Sequence, residues 1–520
     1  MKKSLLFLGL LGFAGHSYAQ SGIGRWTVVN TTNINTFIDT HQLDYINTVS
    51  QNVAWGLTFD SNVPAGTRTQ NKFFVRTNNA AGTEFDWNSL SAPGGAAFEA
   101  ANIVGLDLAG NQQGKVALAS MFNSSAAGGG QILRTTDGGQ SWSAVQGNGF
   151  AGPAGFNNWV HMFDANVGIS FGDPNTDASG AAAYFEVLRT TDGGLTWTRV
   201  PSANLPAPIA NANEGGLVRS YFALQGSNTI WATTSRQQPV GACRILKSTD
   251  RGLTWTAYNT PLLSQINRIA FKDPLNGIAF NTAAAAVTTT PPSPGTINVI
   301  QTSDGGVTWT PITPTNNAVG SFYSYDIDAM PATATTPGFY ISTGNSRVPN
   351  APAPTPNSAL GSSTSSDGIN WKDIDNGITY VNAGDGKTYR RVYTCMDVLN
   401  STAGYLGGLL ETGTGAGGIY KLNAATPLPV RASLTDKVLL NAYPNPSTGM
   451  FQLQLANGLK SVTALTVTDA LGRQVYSRQL TPSSVSSEAV SLDLTKEKPG
   501  VYVVELRNEA GVSQQKLVVQ

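Results

Sequence analysis

Seven polar side chains in this sequence stand where they could grip a ligand: Asp173, Arg219, Arg236, Arg268, Arg347, Arg391 and Glu411. Arg219, Arg268 and Arg391 each lie near the start of a stretch that reads as an innermost strand. Their guanidinium forks would meet at one mouth, and that planar shape matches a carboxylate or a sulfate. A second set of carboxylates recurs. Asp137, Asp192, Asp250, Asp304 and Asp367 each stand in a turn that leads to a tryptophan, namely Trp142, Trp197, Trp255, Trp309 and Trp371. Catalysis or metal binding needs one constellation, and the same turn five times over supplies none. These residues are therefore read as structural, and no catalytic residue, metal site or cofactor is assigned. His41 and His161 are the histidines of the mature chain, too few for a histidine cage. Cys243 and Cys395 fall in repeats three apart, which favours free, buried thiols over a disulfide.

The turns belong to a repeated box. RTTDGGQSW (Arg134 to Trp142) returns as RTTDGGLTW from Arg189, KSTDRGLTW from Lys247 and QTSDGGVTW from Gln301. A shorter copy, SSDGINW, runs from Ser365, and a decayed one ends at Trp87. From Trp87 to Trp371 the tryptophans are 55, 55, 58, 54 and 62 residues apart, a repeat architecture. Apolar runs before and after each box read as two strands, with Asp-Gly-Gly as the hairpin turn. The Asp and the hydroxyls can satisfy backbone N–H groups there, and glycine tolerates positive φ. Upstream of each box lies a second hairpin, clearest in VHMFDANVGISFGDP (Val160 to Pro174) and RIAFKDPLNGIAFN (Arg268 to Asn281). Four antiparallel strands per repeat make a propeller blade.

Seven such units can be counted, the first from near Asn47 and the last from Arg391. The last has a third strand, GIYKLN, but no box. GRWTVV (Gly24 to Val29) resembles the missing outer strand, so the N-terminus is expected to close the ring and remove its edges. The box pattern over residues 24–423 resembles the BNR or Asp-box repeats of sialidases, sortilin-type receptors, xyloglucanases and photosystem II assembly factor-like propellers. That resemblance implies the fold, while its members include both enzymes and binders. Sialidases carry Arg-Ile-Pro ahead of their first box; here neither Arg25 nor Arg68 is followed by Ile-Pro.

Met1 to Ala19 reads as an export signal: Lys2 and Lys3, an apolar core from Leu5 to Ala14, and Ser17-Tyr18-Ala19 before the cut. No later run is long enough for a transmembrane helix. With 32 basic and 32 acidic residues the net charge is zero, so nothing favours nucleic acid as a partner. The 56 glycines and 27 prolines suit many short strands more than helices. After a Pro-punctuated linker (424–437), residues 438–520 read as a small β-sandwich. Tyr443-Pro444-Asn445-Pro446 with Gly449, Asp469-x-x-Gly472-Arg473-x-Val475, Pro499-Gly500-Val501-Tyr502 and a final Lys516-Leu517-Val518-Val519 follow in order. They resemble the type A C-terminal sorting domain of type IX secretion cargo. The resemblance implies the type IX machinery as a partner of 438–520 and an extracellular or cell-surface destination.

The expected fold is thus all-β: a seven-bladed β-propeller followed by a small C-terminal β-sandwich. The expected function is an exported binding module for glycans or surface polymers, with a polysaccharide or a surface protein as partner. The alternative is a sialidase- or xyloglucanase-like glycoside hydrolase or lyase. Long insertions (Ser61 to Asn71, Gly172 to Ala183, Asn281 to Thr296, Asn345 to Gly361) all fall in second-to-third connections, which open on the face opposite the box turns. The ligand is expected on that face.

Overall fold

The computed structural model describes residues 23–28, 41–60, 73–90, 98–106, 114–123, 129–145, 147, 149–150, 155–176, 182–209, 214–236, 242–262, 265–281, 298–316, 320–332, 337–345, 360–376, 379–381, 388–410, 418–424, 439–456, 463–470, 472–481, 489–508 and 511–520. Residues 1–19, the segment read from sequence as an export signal, lie outside them. The chain divides into two compact units, residues 1–425 and 426–520.

In the first unit the described residues form seven antiparallel sheets. We number them as blades 1–7 by their first strands: His41–Ser50, Phe98–Gly105, Asn157–Met162, Glu214–Ala223, Arg268–Phe271, Asp326–Met330 and Thr388–Asn400. Each first strand packs on the next, and that of blade 7 packs on blade 1, so the ring is closed and the first strands are innermost. In blades 1–6 the four strands pair in chain order. Blade 7 takes its outer strand from the N-terminus. Ile23–Val28 pairs antiparallel with Gly418–Ala424, Trp26 opposite Leu422 and Val28 opposite Tyr420. A short strand, Thr379–Val381, adds to the other edge of that sheet.

The box turns satisfy their own polar groups. Asp192 Oδ1 accepts from the Leu195 and Thr196 amides at 3.0 and 2.9 Å, and its Oδ2 accepts from Thr196 Oγ1 at 2.5 Å. Thr190 Oγ1 accepts from the Gly194 amide at 3.0 Å, and the Trp197 indole donates to the Gly194 carbonyl at 3.1 Å. The little burial at this site pushes the Asp192 pKa up, but the Thr196, Thr190 and Leu195 hydrogen bonds outweigh it and hold the carboxyl at about 2. Gly194 is required twice over: its φ is +80°, and a Cβ there would lie 2.8 Å from Leu118 of the previous blade. Asp192→Ala is expected to cost roughly 1–3 kcal/mol by leaving turn amides without their acceptor. Chemical denaturation measures it, and an unchanged midpoint would remove the structural role.

In three of the boxes the residue three before the Asp links the blades. Arg134 Nε donates to the Gly193 carbonyl in the next blade's turn at 3.1 Å, Arg189 Nε to Arg251 O at 3.3 Å, and Gln301 Nε2 to Asp367 O at 2.7 Å. Lys421 holds that place in blade 7 and donates to Ala81 O of the decayed turn in blade 1. Blade 6 has Thr364 there, facing a blade whose sequence carries no box. The cores lie between sheets. Trp159 stacks on Phe171 (5.2 Å) and Tyr221 (4.3 Å), and Trp231 stacks on Phe271 (3.6 Å). Cys243 and Cys395 are both buried thiols, with no disulfide between them.

The second unit is a sandwich of a three-stranded and a four-stranded sheet. Phe451, Leu453, Leu492, Leu465, Val467, Val504 and Leu517 from the two sheets form one core.

Candidate functional site

The innermost strands surround a channel, and one side chain limits its depth. Arg219 has φ 60° and sits in a bulge of Glu214–Ala223, where the register shifts between Gly216 and Tyr221. A bulge re-aims a side chain, here into the channel. From blade 4 its Nη1 donates to Asp44 Oδ2 in blade 1 at 2.6 Å and to the Asp44 carbonyl at 2.9 Å. Its Nε donates to the Ala101 carbonyl in blade 2. The guanidinium also lies 5.4 Å from the Tyr45 ring centroid. The channel is bridged at this level.

Beside the bridge is a cavity of about 400 Å³ to which all seven blades contribute. Its rim includes Asp164, Ala165, Gln225 and Gly226 from first-to-second turns. Box turns bond to those turns, Gly193 N to Asn166 O at 2.9 Å and Arg251 N to Asn228 O at 2.9 Å. The cavity therefore opens on the box-turn face.

Its charges are largely paired within the protein. Arg268, the first residue of its strand, is 2.9 Å from Asp326 Oδ1 and donates to the Tyr325 carbonyl at 3.1 Å. The acids also bond to the backbone of the next blade. Asp326 Oδ2 accepts from the Met396 amide at 2.8 Å, Asp328 Oδ2 from the Val398 amide at 2.7 Å, and Asp397 Oδ2 from the Thr48 amide. Burial, with the nearby Asp326 charge adding to it, pushes Asp397 up to about 7. Burial and then the Asp397 charge push Asp328 well above the usual carboxylate range, and burial raises Asp326 despite Arg268. Burial lowers the pKa of His161, also on the wall, to about 4. Among the described residues no three His, Cys, Asp or Glu side chains are grouped to hold a metal ion.

The residues expected from sequence divide as follows. Arg219 and Arg268 both reach the cavity, but Arg219 lies mid-strand, not near the start, because its strand begins at Glu214 and carries the bulge. Asp173 is in the second strand of blade 3. It accepts from Asn158 Nδ2 at 2.9 Å and from the Gly216 amide of blade 4 at 2.8 Å, and burial raises it to about 6 against those hydrogen bonds. Arg236 and Arg391 are in described strands, though their side chains lie outside the description. Arg347 and Glu411 lie outside the described residues, as do Ser61–Asn71 and most of the other long insertions. Sequence reading missed Asp44, Asp326, Asp328 and Asp397. The available signal was Asp326-x-Asp328 on alternate positions of an inner strand, which puts two acids on one face.

In the second unit, Asn445 ties the opening turn to the last strand: its Nδ2 donates to Lys516 O at 2.6 Å and its Oδ1 accepts from the Val518 amide at 2.9 Å. Ser447 N donates to Val518 O at 2.9 Å, and Gln520 N to Ser447 O at 2.9 Å.

Residues 441–520 match the family of secretion system C-terminal sorting domains. The second unit is a sorting domain. It marks the chain as type IX secretion cargo, exported to the cell surface or the extracellular space. The motifs of the sorting domain each have a local role. Asp469 accepts from the Arg473 amide at 2.9 Å across its hairpin, and the Tyr502 hydroxyl donates to Lys498 O at 2.7 Å beside Pro499-Gly500. No helix among the described residues is long and apolar enough to cross a membrane. Nothing matches among curated proteins. Among solved structures, the chain is similar to YCF48 bound to D1 peptide (13% identity, 76% of this chain and 97% of that one, TM-score 0.42). It is also similar to the GH74 xyloglucanase from Xanthomonas campestris (10%, 96% and 94%, 0.33). A third is a Trypanosoma rangeli sialidase mutant displaying trans-sialidase activity (11%, 80% and 82%, 0.32).

Proposed function

We propose that this chain is an exported binding module that takes its ligand into the central cavity on the box-turn face. The observation that carries this reading is the cavity of about 400 Å³ beside the Arg219 bridge, which falls in the size range of ligand sites. Its arginines are already matched by Asp44 and Asp326. Such a wall offers hydrogen-bond donors and acceptors beside the aromatic faces of Phe163 and Phe222. It suits a neutral, hydroxyl-rich ligand, such as a glycan end, better than the polyanion that unpaired arginines would favour.

Binding without catalysis is supported by the engagement of the cavity carboxylates in inter-blade hydrogen bonds and ion pairs. Gln225 is exposed at the rim, so Gln225→Trp narrows the mouth without entering the core. On a panel of neutral and acidic polysaccharides we expect Gln225→Trp to weaken binding at least tenfold, about 1.4 kcal/mol, with the melting temperature unchanged. Arg347→Ala and Glu411→Ala, in the long-insertion face read from sequence, are expected to bind normally. The opposite pattern would move the site to that face. Release of reducing ends from any panel member would replace the binding reading with a hydrolase.

A further inference from the structure

The inner strands are stitched to one another by side-chain oxygens that accept backbone N–H bonds from the next blade, and the stitches are of two kinds. Between blades 1 and 2, Asn47 Oδ1 accepts from the Gly105 amide at 2.9 Å; between blades 2 and 3, Asn102 Oδ1 accepts from the Val160 amide at 2.9 Å. Between blades 6 and 7 the acceptors are Asp326 and Asp328, and between 7 and 1 the acceptor is Asp397. The acceptor task needs only a C=O, which asparagine supplies without titrating. The seam instead places three carboxyls on adjacent strands of one channel wall, close enough for their charges to oppose one another.

We propose that the seam joining blades 6, 7 and 1 is a proton-operated latch, closed while Asp328 and Asp397 hold protons and loosened as they give them up. A protonated carboxyl keeps its C=O for the amide and removes the repulsion. Two carboxylates side by side in a desolvated wall repel. The groups facing the seam do not relieve that repulsion. Blade 1 presents Asp44 and Tyr45, blade 3 presents His161, blade 4 presents Arg219 and Tyr221, blade 5 presents Arg268, and blade 7 adds Cys395. The two arginines are the cations among them, and Arg219 is held by Asp44. Arg268 bonds Asp326, leaving Asp328 and Asp397 with amide and side-chain N–H donors but no paired cation among the described residues.

The direction follows from linkage. A carboxyl raised by folding contributes its full stability below its ordinary 3.8 and loses it as pH rises through the folded value, about 7 for Asp397. The box carboxyls Asp137, Asp192 and Asp304, held at about 2, are depressed and so lose their contribution only as pH falls below the ordinary range. Between about pH 4 and 7 the seam therefore dominates.

Hydrogen exchange of the full-length protein from pH 5.5 to 8.5 tests this, with each amide corrected for its intrinsic rate. Protection at Thr48, Met396 and Val398 should fall by up to about tenfold per pH unit as pH rises toward the folded value, about 7 for Asp397, with Thr48 levelling off above it, relative to Val160, whose acceptor is Asn102. Parallel profiles at the four amides would overturn the latch. In Asp328→Asn/Asp397→Asn the seam amides should stay protected at pH 8.5; a slope equal to that of the parent would also overturn it. If the double variant does not fold, the parent's profiles decide.

Discussion

Removing Ser21–Asn30 is expected to lower the melting temperature of the whole propeller by on the order of 10 °C, and not to fray one end. Within that segment Trp26 is 5% exposed and packs with Met330, Ile341, Tyr393 and Leu422, so it belongs to a core shared by blades 6 and 7. Its indole donates to Ser362 Oγ of blade 6 at 3.2 Å. Loss of a buried tryptophan alone costs about 3–5 kcal/mol. The deletion also leaves Gly418–Ala424 as an unpaired edge strand. In a closed ring that damage spreads, because blade 7 touches blade 1 through Thr48, Asp397, Thr394 and Leu43. At roughly 2–4 °C per kcal/mol the shift is large on any calorimeter. Trp26→Ala should reproduce most of it. Equal melting temperatures for the truncated and full-length proteins would sink the closure.

Truncation after Val430 is expected to abolish arrival at the surface while leaving the propeller folded. The sorting domain forms its own compact unit with its own core, so its removal takes no buried residue from the ring. Fractionation should then find the propeller in the periplasm, with surface and medium signal lost. Asn445→Ala is the point-substitution counterpart. It breaks both bonds from the opening turn to the last strand, at roughly 1–3 kcal/mol, and should reduce export in proportion to the loss of domain stability. Undiminished surface levels of the truncated protein would show that export does not depend on this domain.

What could be read from the residues alone was what is local in the chain. A box turn closes through contacts such as Thr190 to Gly194 and Asp192 to Thr196, four residues apart, and each hairpin pairs strands joined by one turn. Period, turn chemistry and alternation therefore led to the blades, and the leftover GRWTVV segment led to the closing strand, since a strand without partners must find one. The sorting domain was equally legible because its motifs are short and ordered. The site was not. Arg219 meets Asp44, 175 residues away, and Asp397 meets Thr48, 349 residues away. No periodicity records which charges face one another across a channel. The pairing of Arg219 with Asp44 and of Arg268 with Asp326 was thus invisible in the sequence. The bulge at Arg219, which moves one side chain into the channel, left no turn residue to announce it. Sequence alone determined the repeat, the ring and the export tail, because these follow from near-neighbour geometry. Which charges survive unpaired, and which face holds a cavity, was decided only by bringing seven distant strands together, because Coulomb and hydrogen-bond energies depend on distance in space and not along the chain.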